Sequence, residues 1–137
     1  MNKLEIRPAK DLDHKEILDF VIDGRSLKRK IQELEHAGGG NNPRTPPDLE
    51  MRDLLLLETQ GDTMHGRVGL YVCPLCADYY CGVVSVKIKI QNNIITWSEF
   101  GFEQGDEKED FWLFENFGSY QFDEKQYRQT IQNAAPK

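Results

Sequence analysis

The segment Val83-Val-Ser-Val-Lys-Ile-Lys-Ile90, with the turn behind it, constrains the fold more than any other part of the chain. Val84, Val86, Ile88 and Ile90 share one face of a strand by period two, and Val83, Ser85, Lys87 and Lys89 share the other. This alternation predicts a strand with one wet face, which antiparallel sheets accommodate and parallel sheets do not. Gln91-Asn-Asn93 predicts a tight turn, and Ile94-Ile-Thr-Trp-Ser-Glu-Phe100 predicts the returning strand.

The neighbouring segments extend that hairpin. Leu54–Thr59 reads as a buried strand, Gly61-Asp62 as a turn, and Arg67–Cys73 as the next strand. Together they predict an antiparallel meander. Nearer the N-terminus, Ile17–Ile22 reads as a strand ended by Asp23-Gly24, with Leu18, Phe20 and Ile22 on one face. Ser26 is placed to cap a helix whose apolar stripe is Leu27, Ile31 and Leu34, and Gly38-Gly-Gly40 stops it. Arg25, Lys28, Arg29 and Lys30 give the start of this helix the chain's basic cluster. At the other end, Asp123 is an N-cap with Gln126 at N3, and Phe122 and Tyr127 have the spacing of a hydrophobic staple. Tyr127 and Ile131 continue the stripe of that second helix. The expected fold is therefore α+β, an antiparallel β-meander sheet packed by two helices. Residues 1–137 are expected to form one domain, with a Gly/Pro-rich loop at 38–48 as an excursion within it.

Charge narrows the partners. The 137 residues carry a net charge of −6 at pH 7, with 29% charged and 39% hydrophobic side chains. An acidic chain is a poor starting point for nucleic acid, whose phosphates need Lys and Arg, and a fair one for a basic protein. No run approaches the roughly 18 apolar residues of a membrane span. The opening Met-Asn-Lys-Leu-Glu-Ile-Arg-Pro has no signal-peptide core, so the expected location is cytoplasmic. The three cysteines would be kept reduced there.

Those cysteines, Cys73, Cys76 and Cys81, cluster in Tyr71-Val-Cys-Pro-Leu-Cys-Ala-Asp-Tyr-Tyr-Cys-Gly82. Cys73-Pro-Leu-Cys76 has the spacing of a zinc knuckle, and His65 would complete a Cys3His set. Against zinc, Ala77 stands where knuckles place Gly, and His65 belongs to a different turn. The alternative expectation is that Cys73 and Cys81 end strands as small buried hydrophobes. Thiol redox chemistry lacks the helix N-terminus that lowers a thiol pKa, because a strand follows the motif. No histidine sits in a catalytic motif, and no Gly-rich loop follows a strand. The expectation is a protein without catalytic residues and without a cofactor, zinc at Cys73, Cys76, Cys81 and His65 being the alternative.

A different chemistry is offered by Glu103, Asp106, Glu107, Glu109 and Asp110, which run into Phe111 and Trp112. Acids beside aromatics are what a surface needs to hold a basic protein, since charge steers encounter and aromatic side chains anchor. The alternative is a polar loop whose aromatics return to the core. The partner-binding set expected from sequence is Glu103, Asp106, Glu107, Glu109, Asp110 and Trp112.

Phe20-Val-Ile-Asp-Gly-Arg-Ser-Leu27, Leu70–Gly82, Thr96-Trp-Ser-Glu-Phe-Gly101 and Phe122-Asp-Glu-Lys-Gln-Tyr127 occur in this order. Together they resemble a family of small uncharacterised bacterial proteins marked by Tyr-Val-Cys-Pro-x-Cys-Ala-Asp-x-x-Cys-Gly. Family members carry Leu-Gly where this chain has Tyr79-Tyr80. The resemblance implies a fold and no activity. In class alone the chain is also similar to bacterial immunity proteins, which are small, acidic, single-domain inhibitors of toxins. The expected function is thus a non-enzymatic protein-binding module that neutralises a basic toxin domain. The rival is a small zinc-binding or thiol-based protein using Cys73, Cys76 and Cys81.

Overall fold

Two tight hairpins organise the strands, and both need left-handed backbone at their tips. They are seen in a computed structural model that describes residues 1–10, 16–38, 55–56, 67–72, 82–103, 111–114 and 117–134. Asp23 and Gly24 have φ of +53° and +80°, and Asn92 and Asn93 have +53° and +63°. Positive φ at both central residues is the type I′ pattern, whose twist matches the flanking strands. Asp, Asn and Gly tolerate it best, which is why these residues stand there.

The first hairpin belongs to a three-stranded sheet of β1 (Leu4–Lys10), β2 (Glu16–Ile22) and β3 (Arg25–Ser26), all antiparallel. Helix α1 (Leu27–Gly38) follows at once. Ser26 Oγ accepts the Arg29 N–H at 3.1 Å, so it is the cap the sequence predicts. Gly38 ends the helix as expected, and the loop expected at 38–48 otherwise lies outside the described residues.

The second sheet is the expected meander, β4 (Val68–Val72), β5 (Val83–Gln91), β6 (Ile94–Glu103) and β7 (Phe111–Leu113) in consecutive order. A further strand, β8 (Tyr120–Asp123), pairs with the opposite end of β6 from β7. Helix α2 (Glu124–Ala134) completes the chain's described elements. Its start is as predicted: Gln126 N–H donates to Asp123 Oδ2 at 3.0 Å, and Phe122 stacks on Tyr127 at 5.6 Å between centroids. Only half of the capping box forms. The Gln126 amide reaches Leu4 O and Thr130 Oγ1 instead of the Asp123 backbone.

The sheets are joined at Asn2, which bridges Phe122 in parallel. Asn2 N–H donates to Gln121 O, and Gln121 N–H returns to Asn2 Oδ1, both at 2.8 Å. One buried cluster draws on both sheets and both helices. Trp97 lies at its centre, edge-on to Phe20, Phe122, Tyr127 and Phe100. The architecture is α+β with an antiparallel meander and two helices, as the sequence predicts. It has a second antiparallel sheet in addition.

Two local expectations are corrected. Leu55 and Leu56, expected within a strand, form a buried helical turn, and their carbonyls accept from Tyr127 Oη and the Arg128 guanidinium. The rest of Leu54–Thr59 lies outside the described residues. Strand β5 does not have one wet face along its length. Val83 and Ser85 are as buried as Val84 and Val86, whereas Ile90 is 42% exposed. The change comes at a register shift between Ser85 and Lys87. Glu99 on β6 has φ +53° there, so an extra residue bulges out and re-aims the strand.

Candidate functional site

The bulge is where the second sheet concentrates charge. Arg67, just before β4, lays its side chain along the inner half of β5. Its guanidinium donates to Ser85 Oγ at 2.9 Å, to Ser85 O at 3.3 Å, and to the carbonyl of the bulged Glu99. Glu103 Oε2 lies 3.9 Å from Arg67 Nε, with both side chains at most 10% exposed. Burial lowers the guanidinium pKa, and the nearby Glu103 and Glu99 carboxylates pull it back up. A charge held this way fixes the bulge and the adjoining strand ends.

That placement corrects one sequence expectation. The sequence places Glu103 in the expected partner-binding set, yet it is 4% exposed and faces Arg67. It is not a surface contact. Asp106, Glu107, Glu109 and Asp110 lie outside the described residues, as do Cys73, Cys76, Cys81 and His65. The backbone of Trp112 lies in β7, paired with Phe102. Glu103 pairs with Phe111 across β6 and β7. The next residue but one, Leu113, is 50% exposed. Among the described residues, no group of three or more His, Cys, Asp or Glu side chains is arranged to hold a metal ion.

A second polar network ties the two sheets together. Asp19 on β2, 5% exposed, accepts Tyr71 Oη at 2.8 Å, the Ser26 hydroxyl, and the Lys28 N–H at 3.4 Å. Burial above all, then the Asp19 carboxylate, pushes the Tyr71 phenol well above its usual pKa. Asp19 therefore caps α1 and anchors β4 in one stroke. Its position inside an apolar strand gave the sequence reading no sign of this role. Tyr127 is similar: its hydroxyl donates to Leu55 O at 2.6 Å and accepts the Trp97 indole N–H at 3.3 Å, and burial raises its pKa.

A cleft of about 390 Å³ opens where β3, the start of α1 and β8 meet. Ile22, Asp23, Arg25, Ser26, Leu27, Lys30 and Tyr120 line it. Lys30 Nζ donates to Tyr120 Oη and to Phe117 O, both at 2.9 Å, and sits 4.2 Å over the Phe117 ring. Asp23 is fixed at the rim, where its carboxylate accepts Asn2 Nδ2 at 2.6 Å and the Lys3 N–H at 2.8 Å. Those two hydrogen bonds, in that order, lower its pKa. Arg25 and Lys30, two of the four basic residues noted at the start of α1, thus line a cavity, which their spacing along the sequence does not reveal.

No family model, curated protein or solved structure matches this chain. No helix among the described residues is long and apolar enough to cross a membrane.

Proposed function

We propose that the protein is a non-enzymatic binding module of the immunity type, which neutralises a basic toxin domain through the β6–β7 edge. The observation that carries this reading is the pairing of Glu103 with Phe111 beside a half-exposed Leu113. In the sequence Asp106, Glu107, Glu109 and Asp110 fall between these two paired residues, and Leu113 beside them offers an apolar anchor. Charge there would raise the encounter rate with a basic partner, and Leu113 would slow its departure. Trp112 remains part of the proposed contact set. Glu103 is removed from it, because its carboxylate serves Arg67. The net charge of −6 favours the same class of partner.

The buried polar groups support a binding role in a second way. Asp19, Tyr71 and Tyr127 each hold one element to another, as does the Arg67–Ser85 pair. They make a stiff scaffold, which lowers the entropy lost on docking.

The test is protection in cells. A panel of basic toxin domains is co-expressed with the protein, with its quadruple variant Asp106→Lys, Glu107→Lys, Glu109→Lys, Asp110→Lys, or with Leu113→Asp. Growth rescued by the wild type and lost with either variant, at equal protein levels, is the expected result. Equal rescue by all three would remove this edge from the account, and no rescue by the wild type would remove the immunity role.

A further inference from the structure

We propose that the cleft between β3, α1 and β8 binds a phosphate monoester carried on a compact apolar group. The argument begins with donors. Lys30 Nζ uses two of its three N–H bonds, on Phe117 O and Tyr120 Oη, and these hold the ammonium in place with a third N–H to give. Tyr120 Oη accepts from Lys30 and so keeps its own proton for donation. The Arg25 side chain, on the same lining, makes no hydrogen bond or salt bridge among the described residues, although its charge acts on the neighbouring Asp23 carboxylate. Its planar fork suits two oxygens of one anion.

Three donors from three elements thus converge on one cavity in a chain whose net charge is −6. Two are full cations, which suits the dianion of a phosphate monoester above its second pKa of about 6 better than a single-charged carboxylate. The helix N-terminus is not part of this site. Asp19 and Ser26 already accept the Lys28 and Arg29 N–H groups. Asp23 is the one carboxylate on the lining, and each of its oxygens already accepts a hydrogen bond from Asn2 or Lys3.

The apolar part of the ligand follows from the rest of the lining. The Tyr120 ring forms a wall, and Ile22 and Leu27, 4% and 2% exposed, close the floor of the cleft with little surface of their own. A volume of about 390 Å³ is far more than a bare phosphate fills, and it falls in the range of small-ligand sites. The site therefore selects by charge at one end and by apolar contact at the other. It stands apart from the β6–β7 edge and does not depend on the role proposed for that edge.

Calorimetric titration of the full chain with phenyl phosphate, benzoate and inorganic phosphate tests this. Phenyl phosphate is expected to saturate one site. Benzoate and inorganic phosphate are expected to bind at least about tenfold more weakly, the first for want of charge and the second for want of apolar contact. Arg25 is exposed, so Arg25→Gln should leave the unfolding midpoint in place and weaken phenyl phosphate about tenfold or more. Tyr120→Phe should weaken it severalfold while keeping the ring. Affinity should fall as pH drops below about 6, where the phosphate takes up a proton. Three results would each overturn the proposal: no saturable binding of phenyl phosphate up to about 10 mM, benzoate binding as tightly as phenyl phosphate, or Arg25→Gln binding like the wild type.

Discussion

Asp19 and Asp123 are both aspartates that cap helices, and burial separates them. Asp123 sits at the surface and satisfies one N–H of α2, so Asp123→Ala should cost about 0.5–2 kcal/mol in urea unfolding. Asp19 is buried and accepts from Tyr71, Ser26 and Lys28 at once. Asp19→Ala strands all three donors, at about 1–3 kcal/mol for each that finds no water, so its midpoint should fall well below that of Asp123→Ala. Equal midpoints would show that the Asp19 network contributes nothing beyond a cap. Tyr71 and Tyr127 make a prediction about pH. Burial raises both phenols, so the folded protein keeps protons that the unfolded chain releases above about pH 10. Their contribution is fully present below that pH and declines as pH rises toward the folded values. The slope is up to about 1.4 kcal/mol per pH unit for each tyrosine. Unfolding midpoints followed across that range should fall less steeply in Tyr71→Phe and in Tyr127→Phe than in the wild type. Parallel curves would contradict the assignment. At the cysteines, elemental analysis should find no stoichiometric zinc, and about one zinc per chain that is lost in Cys76→Ser would favour the zinc reading.

Helix α2 shows what a sequence reveals most readily, namely elements fixed by their own neighbours. Asp123, Gln126, Phe122 and Tyr127 lie within six positions of one another, and the cap and staple they predict both form. The same holds for the Asn92-Asn93 turn and for the capped start of α1. Where the outcome hangs on distant groups, the reading misses. Ser85 reads as solvent-facing by alternation, but Arg67 folds over it and the bulge at Glu99 shifts the register. Glu103 reads as one of five surface acids because only the fold brings Arg67 to it. Leu55-Leu56 reads as strand, yet Tyr127 and Arg128 of α2 take up its carbonyls. β1 has Pro8 in its middle and escapes notice, since proline marks an edge strand as easily as a loop. Gly82 tests the junction where the cysteine segment enters β5. Its φ is +138°, and a Cβ there would lie 2.6 Å from Phe102 Cζ. Gly82→Ala should therefore cost about 1–3 kcal/mol through overpacking and backbone strain. Gly24→Ala would meet no atom within 4 Å, so strain alone would set its smaller cost. A harmless Gly82→Ala in urea unfolding would mean that Phe102 does not press on that turn.

At the scale of the whole molecule, two sheets share one aromatic core around Trp97, and the polar groups inside it join elements to one another. Chemistry directed outward is left to the surface. The acids that lie between β6 and β7 in the sequence and the cations of the β3–α1–β8 cleft are opposite in sign, which suits two different ligands. The acid run was legible in the sequence because four acids fall within the five positions from Asp106 to Asp110. The cleft was not, because Tyr120 reaches Lys30 only through the pairing of β8 with β6. The proposed role rests on the acidic edge, and association kinetics test it most directly. A basic toxin domain that scores as protected in the rescue test is purified, and its binding is followed at low and high salt for the wild type and for the variant with Asp106, Glu107, Glu109 and Asp110 changed to Lys. Solvated charges contribute little to folding, so the two proteins should unfold at closely similar midpoints. The wild type should associate fast at low salt and markedly more slowly at high salt, and the variant should lose both the speed and the salt dependence. Identical rates for the two proteins at both salt concentrations would contradict the account.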